Sequence, residues 1–184
     1  MHKRTYILAG LLVLAAVHIG VSGSMIWRHE HTLQTGDLYR FQTEPVDPYD
    51  AFRGRYVALD IDTRMPAARQ FSPGQTVYAA VAENKDGFTE FSMAYPEPPD
   101  GAYIKATVKH CRGGAVDIHN PFDRYYMNEA LAPAAERAYR RHSRRRKQDA
   151  WIAVRIRDGF AVIEELYIGD RPIARYLAEK TDSD

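Results

Sequence analysis

The hydrophobic pattern of the chain changes period once, near its start. From Thr5 to Trp27 the sequence contains no Asp, Glu, Lys or Arg. At about 1.5 Å per helical residue, such a run matches the ~30 Å hydrocarbon thickness of a bilayer. Tyr6 and Trp27 stand near its two ends, where aromatic rings favour the membrane interface. Beyond it the apolar positions fall into short alternating runs separated by Gly, Pro, Asn and Asp, which is the pattern of half-buried strands joined by turns.

The alternating runs predict a mainly β (α+β) domain over 37–177. The first, weak run is Asp37–Phe41. In Arg55–Asp62, Val57, Leu59 and Ile61 share one face. Thr76–Ala82 and Phe88–Ala94 flank Asn84-Lys85-Asp86-Gly87, a strong hairpin signal. Ala102–His110 and Val116–Ile118 follow a Pro-rich loop, and Trp151–Ile168 reads as a hairpin turning at Asp158-Gly159. One helix is expected near 128–142, with Asn128 as N-cap; a start at Pro133 is the other reading, because proline is tolerated only in a first turn. The expected architecture is an antiparallel β-sandwich or a barrel-like domain. Segment 178–184 is polar and expected to be disordered.

The apolar segment admits three readings. As a signal-anchor over 5–27, it leaves 1–4 in the cytoplasm, makes 28–36 a juxtamembrane linker and places the β-rich domain outside, since His2-Lys3-Arg4 precedes it. As a signal peptide it would be cleaved near Val21-Ser22-Gly23-Ser24, although the apolar run continues through Met25-Ile26-Trp27. As a buried helix it would belong to a core. The anchor is the preferred reading. His18 lies mid-span, where an ionisable group marks a helix partner or a proton path, the other reading being a neutral imidazole tolerated in lipid or bonded to a neighbouring helix. No cysteine adjoins the segment, so lipid attachment there is excluded.

Composition narrows the chemistry only slightly. Lys+Arg is 25 and Asp+Glu is 24, so net charge selects no partner. The single cysteine excludes an intrachain disulfide. His29 and His31 offer two metal ligands where three or four are needed, so Arg28–His31 reads as a polar spacer and no metal or cofactor is expected. Cys111 follows His110 and precedes Arg112. Adjacent strand residues point to opposite faces, which leaves His119 as the base for any thiol chemistry if the next strand returns alongside. Arg140, Arg141, Arg144, Arg145, Arg146 and Lys147 form a basic cluster. It reads as a solvated helix end or as a polyanion contact; an extracytoplasmic domain would not meet nucleic acid. Tyr125 and Tyr126 are expected to pack on the sheet.

The stretch Pro45–Asp62, PVDPYDAFRGRYVALDID, organises the rest. Asp47-Pro48 and Asp50 are turn formers, and Gly54 between Arg53 and Arg55 permits a backbone no other residue adopts cheaply. This stretch resembles the bacterial GDYXXLXY domain family. Gly54, Tyr56 and Leu59 match the eponymous motif; Arg55 replaces its Asp and Ile61 its final Tyr. Asp47, Pro48, Asp50, Phe52 and Arg53 match the flanks, and the likeness extends over roughly Leu38 to Pro172. The resemblance implies a membrane-associated domain, often encoded beside or fused to multi-spanning membrane proteins, with no established catalytic residues.

The expected function is therefore a membrane-anchored, extracytoplasmic accessory domain of the bacterial cytoplasmic membrane. It would contact the bilayer and a multi-spanning protein, with Asp47, Asp50, Arg53, Gly54, Arg55 and Tyr56 as binding candidates. The alternatives are an envelope hydrolase using Cys111 with His119, or the carboxylates Asp47 and Asp50, and a polyanion-binding domain led by Arg140–Lys147. Enzymatic activity is left open, and no catalytic residue is assigned.

Overall fold

The computed structural model describes residues 2–45, 56–144 and 148–181. Its elements, in order, are α1 (His2–Thr35), β1 (Asp37–Gln42), β2 (Tyr56–Ala58), β3 (Arg64–Pro66), β4 (Thr76–Glu83), β5 (Thr89–Tyr95), β6 (Tyr103–Arg112), β7 (Ala115–Ile118) and β8 (Arg124–Tyr126). Then come α2 (Ala132–His142), β9 (Ala150–Arg157), β10 (Phe160–Ile168), β11 (Arg171–Pro172) and α3 (Ile173–Thr181). The architecture is mainly β, as the alternation predicts.

Nine strands form one sheet in the order β11-β10-β9-β1-β5-β4-β6-β7-β3, and β2 pairs with β8. Pairing is antiparallel except between β1 and β5, so the sheet is mixed rather than purely antiparallel. It curls strongly. Past the end of β3, Ala67 bridges back to Ala94 on β5, and the Ala68 amide donates to the Ala94 carbonyl at 2.9 Å. Strands β5, β4, β6, β7 and β3 thus close into a small barrel-like ring. On the other side, the β9–β10 turn meets β6 through a bridge between Gly159 and Ile104. The enclosed core includes Phe41, whose ring lies 5.6 Å from Phe91 and 5.2 Å from Phe122.

Turn chemistry sets the hairpins. Asn84 Oδ1 accepts from the amides of Asp86 and Phe88, both at 3.0 Å, which ties the β4–β5 loop to its first residue. Asp158 and Gly159 both have positive φ, 49° and 74°, as the tight β9–β10 turn requires.

Several elements differ from expectation. Helix α2 begins at Ala132, and its N-cap position is Leu131, which provides no side-chain cap. Asn128 instead closes a preceding turn: its Oδ1 accepts from the Ala130 amide at 3.0 Å. Pro133, near the start, fits because a first-turn residue needs no amide donor, so the second reading of the boundary holds to within one residue. Over 56–62 the alternation is real, with Val57, Leu59 and Ile61 all buried, but ladder pairing ends at Ala58. Beyond it the Leu59 amide turns to the Asp123 carbonyl at 3.0 Å and Asp60 bridges Glu44. The polar C-terminal segment is not frayed from 178; α3 runs to Thr181 because Ile173 and Leu177, four residues apart, are buried.

Helix α1 continues without a break past the apolar run to Thr35. Its portion Gly10–Thr35 is long and apolar enough to cross a membrane. The apolar side chains stand uncovered, with Leu12 71% and Ile19 73% exposed. His18 Nδ1 lies 2.9 Å from the Leu14 carbonyl of the same helix. The last turns pack against β9 and β10. Thr32 is buried there, the Gly36 amide donates to the Thr32 carbonyl at 2.9 Å, and Arg155 Nη1 donates to the Gly36 carbonyl at 3.2 Å. The expected linker 28–36 is thus part of the folded domain.

Candidate functional site

The two ends of the motif stretch are held together at its base. The Glu44 amide donates to the Asp60 carbonyl at 2.8 Å. Tyr139, on the inner face of α2, donates its hydroxyl to the Glu44 carbonyl at 2.7 Å and accepts from the Asp60 amide at 3.3 Å. Asn120 Nδ2 donates to the Leu59 carbonyl at 3.2 Å and to Asp60 Oδ1 at 3.3 Å. Four segments distant in sequence thus meet at one point. Of the candidate binding residues, Tyr56 is described; Asp47, Asp50, Arg53, Gly54 and Arg55 lie outside the described residues.

Tyr56 opens β2 opposite Tyr126 on β8. Their rings meet edge to face at 5.7 Å, and the Arg124 guanidinium lies 5.3 Å from the Tyr56 ring centroid. A hydrogen bond with Tyr126, then the charge of Asp123, favours the protonated guanidinium. Tyr126 is 66% exposed, which corrects the expectation that both tyrosines pack on the sheet. Tyr125 does pack inward and donates to Glu165 Oε1 at 2.5 Å. Burial first, and that bond second, push its hydroxyl well above the ordinary phenol range. The strand period explains the split, since neighbours take opposite faces. This Tyr–Arg–Tyr group, with Tyr126 and Arg124 exposed and Tyr56 half-buried, is suited to stacking and cation–π contact.

Beside the same base a cleft of about 350 Å³ opens between Glu44, Ile61, Asp62, Arg64, Phe88 and Glu90. Its walls are largely polar, and β1, β5 and the residues after β2 build it. Glu44 and Ile61, at either end of the motif stretch, therefore line the cleft.

The thiol and its proposed base are not brought together. Cys111 pairs with Val116 and Val108 with Ile118, so the His119 amide bonds to the Thr107 carbonyl instead. His119 is three positions beyond Val116, about 10 Å along the strand and on the opposite face of its alternation. Cys111 is exposed, and its Sγ donates to the Phe71 carbonyl at 3.2 Å. In the basic cluster, Arg140 is paired with Glu136 at 2.6 Å. Arg141 and Arg144 are exposed, and Arg145, Arg146 and Lys147 lie outside the described residues.

Two side chains central to this region went unnoticed in the sequence. Tyr139 and His142 fall on the buried face of α2 with Ala135 and Ala138, and that spacing is the signal that could have found them. His142 is 6% exposed. Its Nδ1 meets Asp149 Oδ1 at 2.8 Å and its Nε2 meets the Tyr176 hydroxyl at 3.1 Å, joining α2, the start of β9 and α3.

Fold and site together define a mainly β domain packed against the last turns of an apolar N-terminal helix. The chain belongs to the GDYXXLXY protein family, whose sequence model matches residues 18–166. No curated protein and no solved structure matches it significantly.

Proposed function

We propose that this protein is a single-pass accessory domain of the bacterial cytoplasmic membrane. Its N-terminus lies inside, its β-rich domain lies outside, and it acts by binding a multi-spanning membrane protein. The observation that carries this reading is the division of α1: its apolar length is left uncovered by the domain, while its last turns are built into the domain. Uncovered apolar surface of that extent needs either lipid or protein, and a rigid mount holds the rest at a defined position above it. The basic residues Lys3 and Arg4 ahead of the span support the orientation. The partner contact is assigned to the span together with the motif base, where Tyr56, Tyr126 and Arg124 stand at the surface.

In-cell crosslinking and affinity capture of the full-length protein tests this, beside a form in which an unrelated anchor replaces residues 1–27. Recovery of a multi-spanning protein with the native form supports the reading. Loss of that protein with the foreign anchor assigns recognition to the span, and retention assigns it to the domain. Recovery of no membrane protein in either form overturns the accessory role.

A further inference from the structure

The anchor helix and the β9–β10 turn form one charged recess at the boundary of the apolar run. Arg28 follows Trp27 directly, and its guanidinium carbon sits 4.3 Å from the centroid of Phe160, the first residue after the turn. His31 stacks on Trp27 at 4.8 Å, with the rings 12° from parallel. Arg157 reaches across from the other side of the turn, where its Nη1 donates to Thr35 Oγ1 and its Nε lies 3.4 Å from Asp158 Oδ2. Met25, Trp27, Arg28, His31, Arg157 and Asp158 line an open recess of about 490 Å³ whose walls are mostly apolar.

The geometry points to a binding site for the headgroup of an anionic phospholipid, held between Arg28 and Arg157 with its acyl chains along Met25 and Trp27. The inference rests on the anchor reading above. Three features fit a lipid. The recess lies at the depth where the apolar run ends, which is where headgroups lie. It joins an apolar wall to a cationic rim, so chain and phosphate are matched together. The Arg28 guanidinium lies over the Phe160 ring, a cation–π contact that does not consume its N–H donors, which a phosphate can accept from. Asp158 is largely exposed and offsets only part of the positive charge. A ligand here would also clamp the helix to the sheet, because Arg28 belongs to one and Arg157 to the other.

The test uses the full-length protein, purified in mild detergent and stripped of lipid. It is titrated separately with phosphatidylglycerol, phosphatidylcholine and inorganic phosphate, and retained ligand is counted by native mass spectrometry. Flotation with pure phosphatidylcholine vesicles is measured in parallel. The expected result is preferential retention of phosphatidylglycerol, falling about fivefold for each guanidinium removed in Arg28→Gln and Arg157→Gln. Arg28→Lys and Arg157→Lys should keep most of the preference. Thr35→Val, which removes the Arg157 contact but no charge, should keep it as well. Equal retention of the two lipids, or an equal loss in Thr35→Val, overturns the site. Binding of inorganic phosphate as tightly as the lipid overturns the lipid assignment. Failure to float removes the anchor reading and this inference with it, whereas flotation without preference removes this inference alone.

Discussion

Tyr139 and Glu44 are 95 positions apart in sequence, yet the Tyr139 hydroxyl donates to the Glu44 carbonyl at 2.7 Å. This bond fixes the chain just ahead of the motif stretch. Tyr139→Phe keeps the buried ring but leaves the Glu44 carbonyl and the Asp60 amide without this partner. Chemical denaturation should show a loss of about 1–2 kcal/mol. An unchanged midpoint would mean that the Glu44–Asp60 bridge holds the base alone.

The same hydroxyl predicts an alkaline limit to stability. Burial pushes it up to about 12, because the ionised form is disfavoured inside. A raised acid contributes stability that is fully present below the free phenol value near 10. That contribution is lost as pH rises from there through about 12. Tyr125, also raised by burial and by its bond to Glu165, adds to the same loss, which begins at the free phenol value. The parent protein should therefore lose stability steadily above about pH 10, and the Tyr125→Phe, Tyr139→Phe double variant should show a flatter profile. Parallel profiles would remove these two groups as the cause.

Gly159→Ala probes the contact between the β9–β10 turn and β6. The residue has φ +74°, and a Cβ there would lie 2.5 Å from Tyr103 Cε2. Strain and clash together should cost roughly 1–3 kcal/mol, read as a lower thermal midpoint. Against a Tyr103→Ala background the same Gly159→Ala change should cost less, since the clash is gone and only the strain at φ +74° is left.

His142→Ala removes both the Asp149 and the Tyr176 hydrogen bonds from a buried site. A destabilisation of about 2–4 kcal/mol is expected, with faster amide exchange in α3 than in β9. Uniform exchange across both elements would show that His142 does not dock α3 specifically.

Cys111 reports orientation in living cells. It is the single cysteine of the chain and is exposed. A membrane-impermeant maleimide should label it without lysis once the outer barrier is opened, and Cys111→Ser should abolish labelling. Labelling only after disruption of the cytoplasmic membrane would reverse the proposed topology.

Sequence period carried much of the fold. The hairpin around Asp158-Gly159 and the loop at Asn84–Gly87 were legible because turn chemistry there is local. The buried face of Val57, Leu59 and Ile61 was legible because alternation survives even where ladder pairing does not. The start of α2 has two readings in the sequence because Asn128 can close an isolated turn as readily as a helix, and the helix begins at Ala132, beside the Pro133 reading. The Cys111–His119 pair was a reasonable proposal until register was known, since one strand position decides which face a side chain takes.

By itself, the sequence determined an apolar helix followed by short strands, and with it the family. Those features arise from composition and from contacts between near neighbours. Only the tertiary structure decided that β1 lies between β9 and β5, that the sheet curls to meet itself at Ala67 and Ala94, and that α1 enters the domain without a linker. It alone placed Tyr139 between Glu44 and Asp60. Each of these depends on which distant segments bury apolar surface against one another, and strand order leaves no periodic trace in the chain.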